Sequence, residues 1–268
     1  MRQFWNRIYK AHPFLVNVGT ANALLAICCM IGMGIDDRTL LGVSVWLKPM
    51  KFGMSLAIVL WTLAWLLDVY PYSDVWRKRA GNYFGILALI EIITITLPAF
   101  WGIKSHYNTT SLWSGINFGI MGSAIFLTTM GLLVMAVQSF YKPLKTTPSI
   151  TWAIRFGWIA MFWAFRGGQE MIMQSGHNIG IADGGAGLPM TNWSILGGDL
   201  RVMHFFGMHA MQILPLTIAY IGARGWISKS KNLCIFSVVL GMLYLTFLGY
   251  VYWQAKAGLP FIPMDAKP

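Results

Sequence analysis

The segment Gly198-Asp199-Leu200-Arg201-Val202-Met203-His204-Phe205-Phe206-Gly207-Met208-His209-Ala210-Met211-Gln212 opens an apolar run that reaches about Ala223. A run of that length can cross a bilayer, yet this one carries an acid, an arginine, two histidines and a glutamine. Such groups are costly in hydrocarbon and are kept for a site, a pathway or a helix contact. At about 100° per residue, Arg201, His204, Met208, His209 and Gln212 share an arc of about 140°. One face of this helix should therefore look into protein rather than lipid. His204 and His209 are five apart, which is not the i,i+4 pair of a zinc-binding HExxH helix. A metal held here needs ligands from other segments, and His106 and His177, at the ends of two other helices, are the candidates. Neutral imidazole suits iron, copper and zinc alike, so the cofactor expected at His106, His177, His204 and His209 is one of these transition metals or a haem. The competing reading of each histidine is a helix-to-helix hydrogen bond. Asp199 follows the Gly197-Gly198 turn and reads as a helix cap, with pairing to Arg201 or Lys51 as an addition.

Two further helices carry ionisable groups. Arg166, Gln169, Glu170 and Met173 share a face, and Arg166 and Glu170 are i,i+4, a spacing that allows an ion pair. That pair is either a structural pin or an arginine-tuned carboxylate beside His177, suited to proton transfer or metal ligation. Glu170, Arg166 and Arg201 are accordingly the candidate catalytic groups. Glu91, Thr94, Pro98 and His106 fall on one face if their helix runs to residue 106. Glu91 then lies about 22 Å from His106 at 1.5 Å per residue. It reads as a neutral carboxyl bonded to a backbone carbonyl, or as a proton relay. Lys48 and Lys51 flank Pro49 and are interfacial anchors or a cationic rim that attracts anions. Met203, Met208 and Met211 are discounted as ligands because methionine is common in such helices.

The elements that must position these groups are helices in a membrane. Hydrophobic residues are 56% of the 268-residue chain and charged ones 11%, far from the mix of a soluble domain. Apolar segments run at about 14–34, 50–70, 84–106, 115–141, 150–174, 200–223 and 232–255, each near the ~20 residues needed to span. The expected fold is thus an all-α integral membrane bundle of about seven transmembrane helices, forming one domain over 1–268. The net charge of +11 sits in short clusters between apolar runs, which argues for membrane topology and against a nucleic-acid partner. Eleven Lys and Arg fall in the amino terminus and alternate loops, against six in the opposite loops and carboxyl tail. The amino terminus is therefore expected in the cytoplasm and the carboxyl terminus outside. The 21-residue first run is too long for a signal core and lacks a small-x-small cleavage site. Cys28, Cys29 and Cys234 give neither a disulfide framework nor zinc spacing. Gly115 and Gly119, spaced as GxxxG, would allow close helix packing and with it an oligomer. The longest loop, 175–198, contains Asp183-Gly184-Gly185-Ala186-Gly187-Leu188-Pro189 and is expected to act as a lid over the outer mouth.

Seven helices invite comparison with two groups. A retinal protein needs a lysine within its last helix, and 232–255 has none. Histidines and an aspartate in one leaflet loosely resemble zinc hydrolases of the ceramidase type, but the paired-histidine spacing is absent and the likeness is architectural only. The strings Lys104-Ser105-His106-Tyr107-Asn108 and Gly198 to His209 resemble those of uncharacterised bacterial multi-pass proteins, which implies a bacterial inner membrane and carries no activity. Three functions stay open. One is a metal- or haem-binding membrane enzyme, redox rather than hydrolytic, acting on a small molecule or ion at the outer face. The second is a proton-coupled transporter or ion pathway using the same titratable residues. The third is a structural membrane subunit whose polar groups join helices.

Overall fold

Seven long helices occupy the seven apolar runs of this computed structural model. It describes residues 2–185 and 187–264. Ala186 of the glycine-rich loop and Lys267 of the charge count lie outside the described residues. A short helix precedes the long ones, so the order is α1 (Arg2–Ala11), α2 (Pro13–Ile35), α3 (Leu47–Val69), α4 (Asp74–Phe100), α5 (Leu112–Tyr141), α6 (Pro148–Met173), α7 (Leu200–Ala223) and α8 (Ser230–Lys256). Six of these are long and apolar enough to cross a membrane; α6, which carries Arg155, Arg166 and Glu170, is not among them. Local signals set the starts. Pro13 and Pro148 occupy the first turns of α2 and α6, where a missing N–H costs nothing. Ser73, Ser111 and Thr147 cap α4, α5 and α6 through their side-chain oxygens.

The third apolar run needs correction at both ends. Its helix begins at Asp74 rather than 84, because Ser73 accepts from the Trp76 N–H and Arg77-Lys78-Arg79 continue the helix. It ends at Phe100 rather than 106. Gly102, at φ 65°, donates to Ala99 O, and the Ile103 N–H reaches Pro98 O at 3.0 Å, a glycine-terminated helix end. His106 is therefore not on the helical face that holds Glu91, Thr94 and Pro98.

The chain divides into two compact units, residues 1–145 and 146–268. In the first, α2 and α3 pack closely through glycines. A Cβ on Gly19 would sit 2.8 Å from Trp61 Nε1, and one on Gly53 would sit 2.9 Å from Asn22 O. At one end of this unit Tyr70 donates to Met135 O at 2.7 Å and the Lys145 N–H to Val69 O at 2.8 Å. At the other end Asp36 accepts from Arg38 and from Trp46 Nε1, while Arg38 also reaches Phe100 O at 2.7 Å. Gly115 and Gly119 have no neighbour within 4 Å of where a Cβ would stand, so the close packing expected of that pair is not made among the described residues.

In the second unit α6 and α7 form a close seam. A Cβ on Gly207 would meet Ala164 Cβ at 2.6 Å and Ala160 O at 2.7 Å, and one on Gly157 would meet Met211 Cα at 3.1 Å. The core beside this seam contains Ala160, Met203, Ala210, Leu214, Leu248 and Val251. The stretch between α6 and α7 is folded rather than loose. Asn178–Ile179 (β1) pairs antiparallel with Gly198–Asp199 (β2), and Gly187 bridges Ser194. Its base is closed by the Leu200 N–H donating to His177 O at 3.0 Å.

Candidate functional site

The candidate residues fall into separate local clusters, each built by its own helices. In the second unit, the last turns of α6 and α8 surround Glu170. Tyr252 donates to Oε1 at 2.5 Å, Arg166 stands 3.0 Å from the same oxygen, and Lys256 lies 3.3 Å from Oε2. Arg166, Glu170, Met173, Gln174 and Lys256 line a shallow pocket of about 350 Å³. The i,i+4 spacing points to the arginine; Tyr252 and Lys256, 82 and 86 residues away, are partners that no local signal announces. Every oxygen of this carboxylate is engaged, which is the arrangement of a pinned ion pair.

His204 faces the seam instead. Its Nδ1 lies 2.8 Å from Ala164 O, and a Cβ on Gly168 would stand 3.2 Å from its Cε1. The glycine is what lets the imidazole reach the α6 backbone. His209 lies against Phe205 with ring centres 4.7 Å apart and planes tilted by 57°, and hydrogen-bonds the Gln212 side chain. The walls of the Glu170 pocket include none of His177, Arg201, His204 and Gln212, so the expectation of one cavity shared by α6 and α7 is not met there. The polar arc of α7 is satisfied in pieces: a backbone carbonyl for His204, a neighbour on its own helix for His209 and an acid for Arg201.

That acid is Asp199. It sits at the N-cap of α7, accepts from the Arg201 N–H at 2.9 Å and the Ser194 N–H at 2.9 Å, and pairs with the Arg201 guanidinium at 2.6 Å. Arg201 also bonds Asn192 O, so its charge is spent holding the 175–198 segment to the helix. Asp183 does the same for the near end, accepting from the His177 and Asn178 N–H groups at 3.2 and 3.0 Å. His177 Nδ1 is 3.0 Å from Asn178 Oδ1 and 3.2 Å from Asp183 Oδ1. Burial, and then the Arg201 charge, hold its imidazole pKa below the ordinary value despite Asp183 and Asp199.

In the first unit the chain turns back after Gly102. His106 packs 5.9 Å from the Phe52 ring of α3 and 6.3 Å from the Phe118 ring of α5. Its Nδ1 lies 3.1 Å from Ser105 Oγ. Burial and the nearby Lys48 ammonium keep the imidazole well below its ordinary pKa. Lys48, whose Nζ lies 6.0 Å from the Phe52 ring, is in electrostatic reach of Glu91 as well. Glu91 is buried on α4, and its Oε2 has no hydrogen-bond partner among the described residues. Beside it, Asn117 of α5 donates to Thr94 O at 3.0 Å, while Thr94 bonds back to Ile90 O and Glu91 O. Lys48 is the residue that sequence reasoning undervalued here, because a lysine at a helix start looks like an anchor.

Among the described residues no group of three or more His, Cys, Asp or Glu side chains is arranged to hold a metal ion. The fold and these clusters define a multi-pass helical membrane protein with polar groups on its spanning helices. Compared with protein-family models, curated proteins and solved structures, the chain matches none.

Proposed function

We propose that this membrane protein moves protons, alone or coupled to a small solute, and that Glu91 is the group that takes up and releases them. One observation carries the reading: a carboxylate oxygen lies buried on a membrane-spanning helix with no hydrogen-bond partner among the described residues. A buried carboxylate oxygen left without a partner is expensive, and a carboxyl that serves only structure spends its oxygens on donors. Glu170 shows the contrast, with Tyr252, Arg166 and Lys256 on its two oxygens. A group that must bind and lose a proton cannot be tied down in that way. Ionisable residues inside spanning helices mark pathways and proton relays. Lys48 is in electrostatic reach of both Glu91 and His106. The reading keeps the orientation expected from the loop charges, with the amino terminus in the cytoplasm. The metal- or haem-binding alternative gains no support from the arrangement of its histidines.

The test uses purified protein in vesicles that trap a pH-sensitive dye, under an imposed potential and with candidate solutes on one side. Wild-type vesicles are expected to change internal pH faster than protein-free ones, and Glu91→Gln should remove that difference. Equal rates for wild type and Glu91→Gln, with both above the protein-free control, would place the pathway elsewhere. Rates equal to the control under every solute would remove the proposal.

A further inference from the structure

α1 has two faces. At about 100° per residue, Phe4, Trp5, Ile8 and Tyr9 fall in one arc of about 140°, and Arg2, Arg7 and Lys10 fall in the opposite one. Part of each face is used by the protein: Ile8 is fully buried, Trp5 packs edge-on against Trp61 at 5.2 Å, and Arg7 pairs with Asp68 at 2.5 Å. The remainder is left outside. Phe4 and Tyr9 are 49% and 44% exposed, and Arg2 and Lys10 are exposed and take part in no ion pair among the described residues. The helix does not extend the first span. His12, at φ −143°, breaks the chain, and Pro13 starts α2. Ten residues reach about 15 Å, half of the ~30 Å hydrocarbon core.

The end of the first unit where α1 lies is strongly basic. Arg77, Lys78 and Arg79 open α4 and Lys142 and Lys145 follow α5; the Arg7–Asp68–Arg77 pairs and the Lys145-to-Val69 bond hold these ends together. The two acids there, Asp68 and Asp74, are already paired with arginines, so Arg2, Lys10, Lys78 and Arg79 present uncompensated charge at the surface.

We infer that α1 lies in the membrane interface and seats this end of the protein on anionic phospholipid headgroups, with Phe4 and Tyr9 in the acyl boundary and Arg2 and Lys10 on the phosphates. A short helix with an aromatic apolar face and a basic polar face lies in the plane of the interface. Basic residues at that depth are attracted to an anionic leaflet, and α1 is joined directly to a spanning helix, so the bilayer is the surface it meets. The test is thermal unfolding of the intact protein in neutral detergent with added phosphatidylglycerol, phosphatidylcholine or inorganic phosphate. Phosphatidylglycerol should raise the midpoint more than phosphatidylcholine or phosphate, and salt should shrink the excess. The R2Q/K10Q double variant should lose more than half of that excess, while K229Q/K231Q in the second unit keeps it. Equal effects of the two lipids, an excess that salt leaves unchanged, reproduction by inorganic phosphate, or full retention in R2Q/K10Q would each overturn the inference. The lipid and salt comparisons use wild type alone and stand even if a variant fails to fold.

Discussion

At the residue scale the histidines divide by what their rings touch. His204 Nδ1–H donates to a peptide carbonyl of the neighbouring helix, Ala164 O, at 2.8 Å, and such interhelical bonds in membranes are worth about 1 kcal/mol. His204→Ala is therefore expected to lower unfolding stability by about that amount, without specific loss of proton movement in vesicles. A variant with normal stability and lost transport would return His204 to the pathway. His12 is buried, and burial followed by the Arg77 charge lowers its pKa below the ordinary 6.5, with Asp68 opposing. The folded protein thus holds the neutral ring while the unfolded chain binds a proton near its ordinary value. Below that value the unfolded state carries more protons, so stability falls with falling pH and recovers as pH rises above it. Denaturation followed across that range should show this slope, and His12→Asn should flatten it. An unchanged slope would assign the effect to His106 or His177, which are shifted in the same direction.

At the element scale the close approach of α6 and α7 depends on small residues, and Gly207 is the tightest point. Any Cβ there must displace Ala164 or the Ala160 carbonyl, and both belong to a packed helix. Gly207→Val should cost about 1–3 kcal/mol, read as a lower midpoint in thermal unfolding and a looser seam. An unaltered midpoint would mean that the helices can part without penalty. The seven long helices were legible because each apolar run is near bilayer length, a signal that survives without knowledge of neighbours. The ends of α4 were less so. Arg77-Lys78-Arg79 look like a loop by charge, yet Ser73 starts the helix ahead of them, and the stop lies in Pro98 and Gly102 rather than in the last apolar residue. The sites were legible only in part. Asp199 as a cap and Arg166 beside Glu170 follow from local spacing. Tyr252 and Lys256 on Glu170, Ala164 on His204 and the return of His106 to Phe52 depend on which helices meet, and no spacing within one helix carries that information.

Over the whole molecule, two compact units each pack their polar groups locally, and most of those groups are satisfied by caps, ion pairs and backbone carbonyls. Asp36, Asp183, Asp199 and Glu170 all act in this way. Several buried polar atoms lack a hydrogen-bond partner among the described residues, His12 Nε2, Asn22 Oδ1 and Gln212 Oε1 with them, and Glu91 Oε2 is the carboxylate oxygen in this group that no ion pair engages. Glu91, on the proposed function, binds and releases its proton, and infrared titration of the reconstituted protein reads that event directly. A protonated side-chain carboxyl has its own C=O band, apart from the amide bands. The wild type should show one such band that appears and vanishes reversibly as pH is cycled, and it should be missing from Glu91→Gln. Spectra of wild type and Glu91→Gln that superimpose throughout the titration would contradict the account, as would a band that never responds to pH.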